Sequence, residues 1–67
     1  MTKYNEYLIE YDPDNLMVYV SGLDGDNFWD ELFIEEDVND PESYALGYQD
    51  SLKAQGIFST VQKVIYD

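Results

Sequence analysis

The chain has 67 residues, with 15 Asp and Glu against three lysines and no arginine, for a net charge of −12. This length accommodates one domain, and the lack of cysteine and histidine excludes disulfides and zinc sites of the Cys/His type. Nucleic acids and anionic membranes are polyanions, so the charge disfavours direct binding to either. The apolar fraction of 45% predicts a folded chain.

The same composition disfavours catalysis and cofactor binding. Without His, Cys or Arg, the chain lacks the usual base at neutral pH, the thiolate nucleophile and the bidentate anion clamp. Carboxylate pairs remain, but a domain this small has little volume for a cleft. The segment 1–6 has no apolar signal core. We therefore expect a cytoplasmic protein that is not an enzyme and needs no cofactor.

The first two predicted strands, residues 4–11 and 16–21, form a hairpin. Between them, Asp-Pro-Asp-Asn at 12–15 is typical of a tight turn, because Pro13 fixes φ at the second turn position. In the second strand, successive side chains point to opposite faces. One face carries Leu16, Val18 and Val20, and the other carries Met17, Tyr19 and Ser21. We predict that the helix covers the valine face, since tyrosine tolerates a wet surface.

The third predicted strand covers residues 28–36. It follows a connection at 22–27 that contains the tight-turn dipeptide Asp24-Gly25. Regular alternation puts every second side chain on the same face. One face would carry Trp29, Glu31, Phe33 and Glu35, and the other Phe28, Asp30, Leu32 and Ile34.

A helix that begins near residue 40 is the clearest element. Asp40 can cap it, Pro41 suits the first helical position, and Glu42 favours the positive end of the helix dipole. In an alternative register, Asn39 caps the helix and Glu42 closes a capping box. Gly56 predicts the end of the helix.

A final strand over residues 57–66, rich in β-branched side chains, completes the order β-β-β-α-β. The predicted fold class is α+β, in a single domain over residues 1–67. A small antiparallel sheet, made of a three-strand meander plus the C-terminal strand, carries one helix packed on one face. The pattern allows the last strand to join beside either the first or the third strand.

The strongest functional candidate is an acidic stretch. Nine carboxylates lie within residues 24–42 with no basic residue among them: Asp24, Asp26, Asp30, Glu31, Glu35, Glu36, Asp37, Asp40 and Glu42. On one strand face, Glu31 and Glu35 would be about 13 Å apart. Such a row could stand in for a nucleic-acid backbone and attract a protein that grips nucleic acid through Lys and Arg. The alternative is a solvated acidic rim that serves solubility.

Aromatic residues add to this candidate site. The chain has seven tyrosines, three phenylalanines and one tryptophan, too many for so small a domain to bury completely. Exposed aromatics are favoured anchors of protein interfaces. Tyr19, Trp29 and Phe33 are the predicted anchors, and the alternative is that they belong to the core under the helix.

The loop that begins at Asp24 partly matches a calcium-binding loop. Carboxylates stand at its first, third and twelfth positions, at Asp24, Asp26 and Glu35. However, Phe28 at the fifth position cannot ligate through its side chain, and Trp29 stands where such a loop requires glycine. No metal site is predicted.

The stretch from Leu32 to Ala45, followed by a helix and a β-rich tail, looks like a recurring unit of strand, capped helix and strand. In its order of elements the chain resembles some small bacteriophage proteins that inhibit host RNA polymerase. In size, acidity and lack of cysteine it is similar to phage anti-restriction and anti-CRISPR proteins. The resemblance is one of general character without a shared motif, and it implies inhibition of a host protein.

These observations predict an acidic protein-binding module that inhibits or modulates a basic partner, most readily a nucleic-acid-handling enzyme. Residues 24–42 would capture the partner electrostatically, and the aromatic anchors would hold it. The alternative is a small structural or interaction protein, or a homodimer, whose acidity serves solubility only.

Overall fold

The computed structural model describes residues 4–25 and 28–66, which form a four-stranded sheet with one helix. The elements are β1 (Glu6–Asp12), β2 (Met17–Leu23), β3 (Trp29–Glu35), α1 (Pro41–Ala54) and β4 (Ser59–Lys63). The strand order is β3-β2-β1-β4; β1, β2 and β3 are antiparallel neighbours, and β4 joins beside β1 in parallel. The predicted α+β class and element order are confirmed. The sheet is mixed and not antiparallel throughout as predicted, because α1 returns the chain across the sheet and β4 then runs parallel to β1.

The hairpin between β1 and β2 is held by the side chain of Asp12. Its Oδ1 accepts hydrogen bonds from the backbone N–H groups of Asp14 and Asn15, both at 3.1 Å. Leu16 has a φ of 55° within the turn and is 43% exposed. The prediction that Leu16 shares the buried face of β2 is therefore wrong, because the left-handed turn places it before the strand begins.

Helix α1 begins where local chemistry predicts. Asp40 is the N-cap, and its Oδ1 accepts from the backbone N–H of Ser43 at 3.2 Å. At the other end, Gly56 has a φ of +79° and donates its N–H to the Lys53 carbonyl at 2.9 Å. A left-handed residue just after a helix favours glycine because it has no Cβ to clash. The Asp40 register and the Gly56 stop are both confirmed.

The hydrophobic core lies between α1 and one face of the central strands. Ile9 on β1 is directly opposite Val20 on β2, and both are fully buried, as is Val18. The other buried apolar residues of the core cluster are Val38, Ala45 and Leu52. The prediction that the valine face of β2 lies under the helix is confirmed.

A β-bulge in β3 changes the face on which its side chains lie. Val20 pairs with Phe33 and Ser21 pairs with Glu31, so Leu32 is the extra residue. Because Val20 and Ser21 point to opposite faces, Phe33 lies on the helix-covered face and Glu31 on the other. The predicted alternation through β3 is therefore wrong beyond Glu31, since it assumed a strand without a bulge.

Candidate protein-binding surface

The sheet face turned away from α1, called the open face below, carries an apolar patch. No described helix or strand covers it. On β2 and β3, Tyr19 lies opposite Ile34 and Leu23 lies opposite Trp29. Trp29 is 48% exposed and Ile34 40%, while Tyr19 and Leu23 are half-buried. Cross-strand pairs of this kind stabilise the sheet and still leave apolar area available to a partner.

Glu31 stands inside this patch. Its cross-strand neighbour is Ser21, which lies between Tyr19 and Leu23 along β2. The Glu31 side chain is exposed and shares the open face with Trp29. The patch is therefore an apolar surface that contains a carboxylate, a combination that favours a partner with both apolar and basic groups.

Next to the patch is a run of carboxylates, called the acidic edge below, formed by the edge strand β3 and residues 36–42. It carries Asp30, Glu31, Glu35, Glu36, Asp37, Asp40 and Glu42. The described lysines lie elsewhere, Lys53 in the last turn of α1 and Lys63 on β4 at the opposite edge of the sheet. The β3 edge and residues 36–42 therefore carry negative charge with no described lysine among them.

Several of the predicted carboxylates have structural partners. Asp24 accepts from the Phe28 N–H at 3.3 Å, and Asp30 accepts from the Tyr4 hydroxyl at 3.2 Å. Glu42 accepts from the Tyr11 hydroxyl, also at 3.2 Å. Burial and the neighbouring Glu42 carboxylate raise the pKa of Tyr11 above its ordinary value. Together with the Asp40 cap, these contacts give four of the predicted site residues a role in the fold.

The other described carboxylates of the acidic edge have no hydrogen-bond partner within residues 4–25 and 28–66. They are Glu31, Glu35, Glu36 and Asp37, and all four are exposed. Glu31 lies on the open face, whereas Glu35 pairs with Val18 and lies on the helix side. The prediction that Glu31 and Glu35 form a row on one face is wrong because of the bulge. Carboxylates therefore project from both sides of the β3 edge.

The predicted aromatic anchors also lie on opposite faces of the sheet. Tyr19 and Trp29 lie on the open face, but Phe33 packs against the core with its ring edge-to-face to Tyr48, at a centroid distance of 5.7 Å. Ile34 replaces Phe33 on the open face. Sequence reasoning missed this because the strand contains no glycine or proline to mark the bulge. Asp26, also a predicted site residue, lies outside the described residues.

A buried carboxylate lies at the end of the open face nearest the hairpin turn. Asp12 is fully buried, and its Oδ2 accepts from the Tyr66 hydroxyl and from Asn15 Nδ2. Burial by itself raises the pKa of Asp12, but hydrogen bonds from Tyr66, Asn15 and Asp14 outweigh it and hold the pKa below its ordinary value. The ionised Asp12 carboxylate thus connects Tyr66 to the turn at residues 12–15 through hydrogen bonds. No local signal predicts this contact, since Tyr66 is 54 residues away.

No group of three or more acidic side chains is gathered within the described residues in a way that could hold a metal ion. The described helix is neither long nor apolar enough to cross a membrane.

Comparison of the chain with protein-family models, with curated proteins and with solved structures found no match.

Proposed function

We propose that this chain is an acidic binding module that captures a basic protein through the acidic edge and the adjoining open face. The supporting observation is the juxtaposition of two features on one side of the domain. Exposed carboxylates without a partner among the described residues line the β3 edge, and the half-exposed Tyr19, Trp29 and Ile34 lie beside them. A surface needed only for solubility would not require this apolar patch.

The two features have separate roles in the proposed mechanism. Carboxylates on both sides of an edge strand attract a positively charged surface over distance and accelerate encounter. Apolar anchors act only after contact, when they are desolvated, and they slow dissociation. Trp29 is the central anchor, because it is the largest exposed side chain on the open face and lies two residues from Glu31.

The partner class follows from this chemistry. A protein that binds nucleic acid presents clustered Lys and Arg, often with stacking or apolar groups among them. Carboxylates spaced along the β3 edge and residues 36–42 would occupy that basic surface as a nucleic-acid backbone does. The outcome is inhibition or modulation of the partner by competition.

The first experiment is a pull-down from bacterial lysate at low salt, with the retained protein identified by mass spectrometry. Binding kinetics of the purified partner are then measured by surface plasmon resonance at two salt concentrations. Glu35→Gln with Glu36→Gln removes two charges from the acidic edge. Asp14→Lys makes the same change of two in net charge at an exposed position elsewhere and is the matched control.

We expect the edge variant to associate several-fold more slowly than the control and to show a weaker salt dependence. Trp29→Ser should leave association nearly unchanged and raise the dissociation rate about tenfold or more, as loss of a central anchor does. If the edge variant and the control associate equally fast while folded, the capture mechanism is wrong.

A further inference from the structure

The two edges of the sheet differ in charge and in shape. The β3 edge carries Asp30, Glu31 and Glu35, whereas β4 at the other edge contains no acidic residue and ends in Lys63. Charged side chains on an edge strand prevent pairing with another strand. β3 carries three such side chains, whereas β4 carries only Lys63, at its end. Within the described residues, the outer side of β4 has no partner strand.

The directions of the backbone N–H and C=O groups determine which hydrogen bonds the β4 edge can make with another strand. The Phe58 carbonyl accepts from the Tyr7 N–H at 3.0 Å, and the Val64 N–H donates to the Tyr11 carbonyl at 2.9 Å. The backbone groups of the even-numbered residues of β4 therefore point toward β1. In a regular strand, the N–H and C=O groups of Ser59, Val61 and Lys63 then point outward. The Ser59 carbonyl accepts from Gln49 Nε2 at 3.2 Å instead of from β1, which fits this direction.

A groove runs beside this edge, between α1 and the start of β4. Its volume is about 390 Å³. It is lined by Leu46, Gln49, Asp50, Lys53, Ile57, Phe58 and Ser59. Phe58 is 68% exposed, and beyond the other end of β4 Ile65 is 83% exposed. The edge therefore has a large unburied apolar side chain near each end.

From these features we infer that the β4 edge binds β4 of a second copy of this chain, in antiparallel order about a two-fold axis. The register of this pairing is set by the residues whose backbone N–H and C=O groups point outward. If Val61 lies opposite Val61 of the second copy, Ser59 lies opposite Lys63, and each of these residues exchanges both backbone hydrogen bonds with its partner. The Ser59 carbonyl can keep Gln49 as well, because a carbonyl oxygen accepts two hydrogen bonds.

Side chains in this register are complementary. Ser59, Val61 and Lys63 lie on the helix-covered face, because they pair with Tyr7, Ile9 and Tyr11. Lys63 of the second copy thus lies across from Ser59, at the groove that Asp50 also lines. Phe58, whose side chain lies on the opposite face from Ser59, lies across from Val64 of the second copy. This pairing joins lysine to aspartate and apolar to apolar groups at both ends of a symmetric interface.

A second copy, and not an unrelated strand, is the proposed occupant because its Lys63 matches the groove that Asp50 lines, and a two-fold axis repeats this match. Two molecules of charge −12 repel each other. Pairing at β4 puts the β3 carboxylates at the far ends of a continuous eight-stranded sheet and brings together two strands that carry Lys63 and no acidic residue of their own. The inference goes beyond the proposed function, and it leaves both acidic edges and both open faces available to other partners.

Sedimentation velocity of the whole chain over micromolar to millimolar concentrations tests this inference. Salt near 1 M, where the Debye length is about 3 Å, should reveal a concentration-dependent monomer–dimer equilibrium that weakens at low salt. A chain that stays monomeric at millimolar concentration in high salt would overturn the proposal.

A backbone variant tests the register. The chain is made by chemical synthesis with the Val61 nitrogen methylated, which removes an outward donor and leaves the side chain intact. Circular dichroism confirms the fold, and the expected result is a monomer at every concentration. A folded N-methyl chain that dimerises as tightly as the wild type would show that β4 is not the interface.

A charge swap provides a second, independent test on exposed side chains. Lys63→Glu should weaken dimerisation at least tenfold, because the new carboxylate meets Asp50 of the second copy. Asp50→Lys added to Lys63→Glu restores the net charge of the wild type and should restore most of the affinity. If the single variant dimerises like the wild type, or if the double variant remains as weak as the single one, the proposed pairing is wrong.

Discussion

The two faces of the sheet are built from alternate residues of the same strands, yet their central apolar side chains differ in burial. On the covered face Ile9, Val18 and Val20 have no exposed surface. On the open face the neighbouring Leu8 and Tyr19 are only half-buried, and Trp29 is about half exposed. With one helix to cover two faces, stability must come chiefly from one side. The other side retains apolar area that is available for binding.

The largest expected difference between the faces is at adjacent residues of β1. Ile9→Ala should lower the free energy of unfolding by about 2–5 kcal/mol, through lost burial and the cavity left behind. Leu8→Ala, the matched control on the open face, should cost about 1 kcal/mol, because its side chain is already partly hydrated. Urea unfolding followed by tryptophan fluorescence measures both. Because Ile9→Ala could leave too little folded protein, Ile9→Val, at about 0.5–1.5 kcal/mol, provides a milder version. Equal costs at Leu8 and Ile9 would contradict the contrast between the faces.

A second prediction concerns the close packing of Tyr4 over β2. A Cβ at Gly22 would lie 2.6 Å from Cγ of the Tyr4 ring, so Gly22→Ala must displace the ring and its hydrogen bond to Asp30. We expect a loss of about 1–3 kcal/mol in unfolding free energy. At Gly47 in α1 a Cβ meets nothing within 4 Å, and Gly47→Ala should stabilise the chain by up to about 1 kcal/mol. Thermal unfolding that shifts in the same direction for both variants would count against this packing.

The smallest effect on stability is expected on the open face itself. Trp29→Ser should change the unfolding free energy by less than about 1 kcal/mol, since half of the side chain is already exposed. The same variant is expected to bind the partner much less well. The substitution should therefore reduce binding while leaving stability almost unchanged. Because this variant lacks the one tryptophan of the sequence, its urea unfolding is followed by circular dichroism, and a loss of several kcal/mol would instead place Trp29 in the core.

Prediction from the sequence succeeded where a few neighbouring residues decide the structure. The Asp40 cap, the turn after Asp12 and the valine face of β2 all follow from local backbone chemistry and alternation. For the candidate site, the sequence predicted which types of residue contribute, but not on which face of the sheet each of them lies. The bulge at Leu32 separates Trp29 from Phe33, because pairing with β2, and not any residue type within β3, decides where the extra residue is accommodated.

By itself, the sequence determined the order of elements, the ends of the helix and the concentration of negative charge in residues 24–42, because each depends on residues close together in the chain. Only the tertiary structure decided that β4 pairs with β1 in parallel and that Tyr66 reaches Asp12. These contacts join segments about fifty residues apart. Their free energy depends on hydrogen bonds and packing that form only when the whole sheet is assembled, so no local pattern encodes them.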